Sequence, residues 1–451
     1  MATRAHASLF VRWNGQLREK LQPADLKLAE LTAVLELIGN GPRGAHITAS
    51  RLTRTRKLTV FYCVGIFGFA ARIALWCVSE GTNDIRTWLR FAREIQSYGL
   101  GPTYRLDPLF NHPPLMGLLA SATLLGSSAL DIPFHRAFKL YGLLAEVGIA
   151  LLLMHIWRRR QQPEQAVLAF AGYGCALCAI LISGYHGNTD PVYWFLVLSS
   201  VYVLEDRKAP LLAGLLMGVS LQVKLIPMLV VLPMAACCRE LGKVVRYLLG
   251  VAVALAPFAW IVWHLVPIDR EAFVRNVLGY TSYREFWGAE LVLRAVSAAT
   301  LTSLPAFASK VETVGAFWAL IGSKALLGVT SMLAAAHAVY RYKGLDAYAI
   351  AALCFCLFLV LASGFGVQYM GAVVPFLLAC RIRDGIRVAT ASGVFIGLIY
   401  LSFIINWSPI FSQHSYFSAA FAVPSFITWW LIVRAATRLW RVRNWPVPHH
   451  Q

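Results

Sequence analysis

Asn83 and Asp84 open a polar stretch, Glu80 to Leu115, that reads EGTNDIRTWLRFAREIQSYGLGPTYRLDPLFNHPPL. It holds the carboxylates Glu80, Asp84, Glu94 and Asp107, the arginines Arg86, Arg90, Arg93 and Arg105, and the aromatics Trp88, Phe91, Tyr98 and Tyr104. Further polar groups recur downstream: Gly184 to Asp190 (GYHGNTD), Lys224 in QVKLIP, Asp269 to Glu290, and Gly364 to Tyr369 (GFGVQY). A carboxylate within reach of a hydroxyl can take its proton. A cation can hold an oxygen on which negative charge develops. Each group also has a plain alternative. A loop carboxylate is usually solvated, His186 and Asp190 can cap a helix, Lys224 can snorkel, and Gln368 can bond a helix end.

What positions these groups is an apolar chain. Of 451 residues, 58% are apolar and 14% charged, with mean hydropathy +0.61. Soluble domains carry about 25% charged residues. Repeated apolar runs of about 20 residues imply an all-α integral membrane protein, a polytopic helical bundle of about 12 transmembrane helices. The expected spans are 59–79, 137–157, 165–183, 191–205, 210–223, 225–238, 246–267, 314–340, 346–363, 367–380, 388–405 and 415–436. Residues 1–58 form a basic N-terminal extension with a weak amphipathic helix around Ala24 to Ile38. Residues 59–440 form the membrane domain, with 80–136 as its first outer loop, and 441–451 form a tail. No cleavable signal is visible, since the first apolar run is too long for a signal h-region.

The net charge of +19 is topological and does not indicate nucleic acid. Basic clusters at Arg54 to Lys57, Arg158 to Arg160, Arg207 with Lys208, Arg239 to Arg246, Arg341 with Lys343, Arg381 to Arg387 and Arg434 to Arg443 follow alternate spans. Lys and Arg collect in cytoplasmic loops, so both termini are placed in the cytoplasm and Glu80 to Leu115 outside. This parity requires that Pro113 to Leu130 does not cross but forms a re-entrant or interfacial helix. The twin prolines Pro113 and Pro114 suit its start. Within the loop, Asp84 is a plausible N-cap, and Trp88, Phe91, Ile95 and Tyr98 recur at helical spacing, predicting an amphipathic surface helix. The outer segment Asp269 to Val311 is under-determined, with Leu291 to Phe307 placed on the membrane. The nine cysteines all fall in expected spans. Disulfides are not expected, and the Cys175–Cys178 pair reads as helix packing. Arg72 and Glu146 lie inside spans at depths that differ by about 3 Å. A buried charge is costly unless paired, so the two are expected to pair.

On this topology the polar clusters converge on one face, as an active site at a membrane surface requires. The chain from Thr59 to Cys380 resembles the GT-C superfamily of polytopic glycosyltransferases. The resemblance rests on the first-loop site Asn83–Asp84, the proline-led element Asn111–His112–Pro113–Pro114–Leu115, the element Gly187–Asn188–x–Asp190, then Lys224 with Pro227, and Tyr369 six residues before Pro375. The block from Gly187 to Pro227 looks most similar to GPI mannosyltransferase I and bacterial polyprenol-dependent mannosyltransferases. The family often has two acidic residues in the first-loop motif, where this chain has Asn83 before Asp84. The glucosyltransferase branch has an aspartate where this chain has Asn111.

The resemblance implies transfer of a hexose, mannose by likeness, from a polyprenyl-phosphate donor to a glycolipid, glycan or protein acceptor on the outer face, with inversion. Asp84 is then the base. Lys224, Arg284 and Arg86 would stabilise the donor phosphate. Asn83, Asp107, Asn111, His112, His186, Asn188, Asp190, Gln368 and Tyr369 would orient substrate. No metal site is compelling, although the residues allow a divalent cation at Asp84. The setting is a multi-pass membrane protein in contact with membrane lipids, in a bacterial inner membrane rather than an endoplasmic reticulum. The alternative is a flippase or other transporter, for which internal repeats and mid-membrane charges would be expected; no repeat is seen.

Overall fold

The computed structural model describes residues 41–280, 287–288, 306, 309–310, 313–314, 324–341, 346–362, 365–405 and 421–441. Among them every regular element is helical. Two compact units are distinguished, Met1–Val60 and Phe61–Gln451. The expected segments Ala24–Ile38 and Leu291–Phe307, and Arg284, lie outside the described residues.

The first described helix, α1 (Gly41–Val78), includes an apolar segment at Arg56–Val78. The segment after it forms α2 (Asn83–Tyr98), α3 (Leu100–Leu106) and α4 (Pro114–Ala129). Next come α5 (Phe134–Arg159), α6 (Pro163–Gly174) and α7 (Leu177–Ile180), which runs on into a π-helical turn at Leu181–His186. The remaining helices are α8 (Asp190–Glu205), α9 (Pro210–Val223), α10 (Met228–Cys237), α11 (Leu241–Trp263), α12 (Pro267–Phe273), α13 (Lys324–Arg341), α14 (Ala347–Leu361), α15 (Val373–Cys380), α16 (Ile382–Ile405) and α17 (Ala422–Arg441). Four helices among the described residues are long and apolar enough to cross a membrane, at Arg56–Val78, Phe134–Arg159, Leu241–Trp263 and Ile382–Leu401. A fifth is reached if the pair Pro163–Gly174 and Leu177–His186, bent by 45°, is one span. That is fewer than the expected twelve. The apolar runs at 191–205, 210–223, 225–238, 346–363 and 367–380 form helices of only 10–17 residues.

The N-cap of α2 is Thr82, not Asp84. The Thr82 hydroxyl accepts from the Asp84 amide, which puts Asp84 in the first turn. A carboxylate there complements the helix dipole. Ile85, Trp88, Phe91, Ala92 and Ile95 form the buried face of α2, as spacing by three and four residues dictates. Tyr98 does not join them and is exposed. The apolar face of α2 is covered by the protein: Trp88 lies on Phe138 of α5 and Phe91 on Phe110. Helix α4 starts as the prolines imply, with Pro113 at the N-cap and Pro114 at its first position. Its 16 residues reach about 24 Å, short of the ~30 Å hydrocarbon core.

Arg72 and Glu146 do pair, at 3.4 Å, and neither side chain is exposed. The structure adds a reason that the sequence hides. The apolar run at 165–183 is broken between Gly174 and Leu177, and the break presents carbonyls without helical partners. The Arg72 guanidinium donates to the carbonyls of Tyr173 (2.7 Å) and Gly174. Close approach is possible because Gly68 of α1 meets the Gly174 backbone, where a Cβ would clash. Cys175 and Cys178 straddle the break, one exposed and one buried.

Far along α5, Arg160 closes a second knot. It reaches Asp346 at 2.7 Å and the Ala379 carbonyl at 2.7 Å, and lies 5.0 Å from the rings of Trp157 and Tyr348. Tyr348 donates to Asp206. These contacts hold together the ends of α5, α8, α14 and α15.

Candidate active site

Residues a hundred positions apart meet because the segment before α2 is stitched to the turn before α8. Lys139 of α5 donates to the carbonyls of Ser79 (2.6 Å) and Gly184 (3.0 Å). Ser79 donates to the Tyr185 carbonyl, and the Thr82 amide to that of His186. The turn itself is set by Gly187, whose φ of +77° suits a residue without Cβ. After it, the Asn188 side chain accepts from the Asp190 amide at 2.9 Å, and α8 begins.

The stitching delivers Asp84 to His186 and Asn188. His186 Nε2 lies 2.9 Å from Asp84 Oδ2, and Asn188 Nδ2 donates to the same oxygen at 3.1 Å. Thr82 Oγ1 lies 2.8 Å from His186 Nδ1. His186 thus bridges the two, with Nε2 facing Asp84 and Nδ1 facing the Thr82 hydroxyl. The His186 ring is stacked on Tyr400 at 5.4 Å. Asp84 Oδ1 makes no hydrogen bond among the described residues, and the Asp84 side chain remains 44% exposed. Burial pushes its carboxyl up. Attraction to and hydrogen bonding with His186, the Asn188 bond and the charge of Lys224 outweigh this and hold it well below the usual carboxylate range.

Lys224 ends α9 in an extended conformation. Its Nζ donates to Asp190 Oδ1 at 2.5 Å and lies 4.3 Å above the Tyr369 ring. The other Asp190 oxygen is buried without a partner. One of the three ammonium donors serves Asp190, which leaves donor capacity for an anionic oxygen. His112 completes the cluster. Its ring lies 4.4 Å from Trp88, and its Nδ1 is buried without a hydrogen-bond partner. Burial, followed by the charge of Lys224, lowers its pKa to about 3 against the pull of Asp84, so the imidazole is neutral.

The structure therefore gathers Asp84, His112, His186, Asn188, Asp190, Lys224 and Tyr369. It places other candidates elsewhere. Asp107 is committed to Arg90 at 2.6 Å and to the Leu109 amide. Asn111 and Gln368 are half-buried, and no hydrogen bond joins either side chain to the cluster. Asn83 is exposed at the first position of α2. Arg86 is exposed, two residues past Asp84 and so about 200° round the helix from it. Thr82, Lys139 and Tyr400 take part without having been singled out, and Trp88, expected only as part of a helix face, packs on His112. Thr82 alone carried a local signal, a hydroxyl one residue before the helix. Among the described residues no three His, Cys, Asp or Glu side chains form a metal-ligand group.

Residues 166–364, less than half of the chain, match the model of glycosyltransferase family 87. The matched segment contains His186, Asn188, Asp190 and Lys224, while Asp84 and His112 lie upstream of it. No curated protein matches the chain. Together with four or five helices suited to spanning a bilayer, the match makes the chain an integral membrane glycosyltransferase, similar over this segment to family 87.

Proposed function

We propose that the protein transfers a hexose, mannose by the resemblance, from a polyprenyl-phosphate donor to an acceptor hydroxyl at the outer membrane face. The carrying observation is Asp84. One oxygen is anchored by His186 and Asn188, the other is unbonded, and the side chain is half-open beside Lys224. The acceptor oxygen attacks the anomeric carbon while the bond to the phosphate oxygen breaks. The hydroxyl proton passes to Asp84 and the bonding electrons leave with the lipid phosphate, which gains charge beside Lys224. A single displacement of this kind inverts the anomeric centre. A carboxylate held so far below the usual range stays ionised and orients the hydroxyl, and it takes the proton late, as the new C–O bond forms. The unpartnered Nδ1 of neutral His112 is available to a substrate hydroxyl or phosphate.

The test is sugar transfer from polyprenyl-phosphate-mannose by purified wild type and Asp84→Asn in nanodiscs. Transfer or slow donor hydrolysis by wild type, lost in the variant, is the expected result. Equal turnover by both would move the base to another carboxylate, Asp190 first. Absence of turnover with this donor, followed by turnover with another lipid-phosphate sugar, would overturn mannose and keep the site.

A further inference from the structure

A groove of about 550 Å³ opens along α5 and α8, away from the Asp84 cluster. On α5 it follows one face from Gly148 through Leu151 and His155 to Arg158, and on α8 it runs from Phe195 to Tyr202. Its size falls in the range of ligand sites, roughly 300–1,000 Å³. Most of its lining is apolar, and Leu151 is half exposed. One end is shut. Phe195 lies so close to Gly148 that a Cβ there would meet the ring at 2.7 Å. The other end is polar and cationic. His155 Nε2 and the Tyr202 hydroxyl bond at 2.9 Å, and Arg158, one turn further on, is exposed.

Among the described residues no carboxylate pairs with the charge at that end. Arg160, two residues on, is matched by Asp346, and Arg381 and Arg438 share Asp384. Arg158 has one side-chain partner among the described residues, the neutral hydroxyl of Tyr62 at 2.8 Å. Gly148 to Arg158 is ten residues, so the groove is about 15 Å long, one leaflet of a ~30 Å core. It lies toward the far end of α5 from Lys139, and so in the leaflet opposite Asp84.

We infer that this groove binds an anionic phospholipid of that leaflet. One acyl chain lies along Leu151 and Leu152 and stops at Phe195. The hydroxyl–imidazole pair sits at the level of the ester carbonyls, and the phosphate meets Arg158. A polyprenyl chain, longer than one leaflet, is stopped by the Phe195–Gly148 contact. A free phosphate lacks the chain that the apolar walls require.

The test uses the full-length protein in detergent, mixed with equal amounts of phosphatidylglycerol and phosphatidylcholine, with bound lipid counted by native mass spectrometry. Wild type should retain phosphatidylglycerol about tenfold over phosphatidylcholine, because both offer a phosphate to Arg158 but only phosphatidylcholine adds a fixed cation that Arg158 repels. Arg158→Gln should abolish the preference. Leu151→Trp should abolish retention of both lipids, and Leu144→Trp, on the same helix outside the groove, should change nothing. If Leu151→Trp does not fold, Ser199→Phe fills the same space from α8. Preference unchanged in Arg158→Gln overturns the headgroup assignment. Retention unchanged in the groove-filling variant overturns the site. Displacement of phosphatidylglycerol by inorganic phosphate or by polyprenyl phosphate at equal concentration overturns the choice of ligand.

Discussion

Asp84 keeps 44% of its side chain exposed and offers an unbonded oxygen, whereas Arg72 and Glu146, within the bundle, are sealed at 0%. Both clusters hold charge inside an apolar chain. The sealed one is closed by fixed partners: Arg72 gives its guanidinium to Glu146 and to two carbonyls at the end of α6. The open one keeps an accessible face. Unbonded buried atoms occur in both clusters: Arg72 Nε and the Glu146 oxygens in the sealed one, the second Asp190 oxygen and His112 Nδ1 in the open one. What differs is access, since only Asp84 is exposed enough for a substrate hydroxyl to reach it. The sealed pair ties helices together, and the open cluster is poised for a substrate.

Substitution should separate the two. Asp84→Asn should lower transfer by about 10²–10⁴-fold, the usual contribution of a general base, while stability changes by no more than about 1 kcal/mol because the group is half-open. In the sealed pair the effects should reverse. Arg72→Met should destabilise by about 3–5 kcal/mol, read as a fall in Tm. Glu146→Gln should cost less, because Arg72 keeps its carbonyl partners. A double-mutant cycle should show coupling of about 0.5–3 kcal/mol. Strict additivity would mean that the carbonyls alone hold Arg72.

Lys224 belongs to both kinds of cluster. Lys224→Gln should lower transfer by about 10²–10³-fold and also destabilise the protein, since Asp190 is left buried and unpaired. Adding Asp190→Asn should restore Tm without restoring transfer. Recovery of both by the double variant would make Lys224 a structural partner only.

The site was legible where residues sit at helix ends on the same side. Asp84, Asn188, Asp190 and Lys224 each lie at or next to a helix end, and the pattern of basic loops had suggested that they share one face. The stitching was not legible. Lys139 lies inside an apolar run and differs from a snorkelling lysine only by the carbonyls it reaches, and those belong to segments 45 and 60 positions away. Asp107 looked like a substrate ligand because its bond to Arg90 depends on how α2 and α3 fold back on each other. The Arg72–Glu146 pair followed from matched depth. Its carbonyl partners did not, because nothing in the composition of 165–183 announces a break at Gly174. The lengths of the helices were not legible for a related reason: an apolar run shows where lipid or core is tolerated, and the helix within it can be shorter.

The smallest effect tests the open cluster from its acid side. The folded protein holds His112 neutral until about pH 3, whereas an unfolded imidazole takes a proton near pH 6.5. Below that value the unfolded chain binds a proton that the folded one refuses. His112 therefore contributes full stability above pH 6.5 and loses it as the pH falls toward 3. The slope is at most about 1.4 kcal/mol per pH unit. Tm should fall more steeply between pH 6.5 and 4.5 in wild type than in His112→Gln. Asp84 does not confuse this window, because its depressed pKa withdraws stability only once the unfolded carboxyl titrates, near pH 4. Parallel Tm curves for the two proteins would show that the His112 ring is solvated and takes up its proton freely, and the open cluster would lose the neutral imidazole offered to a substrate.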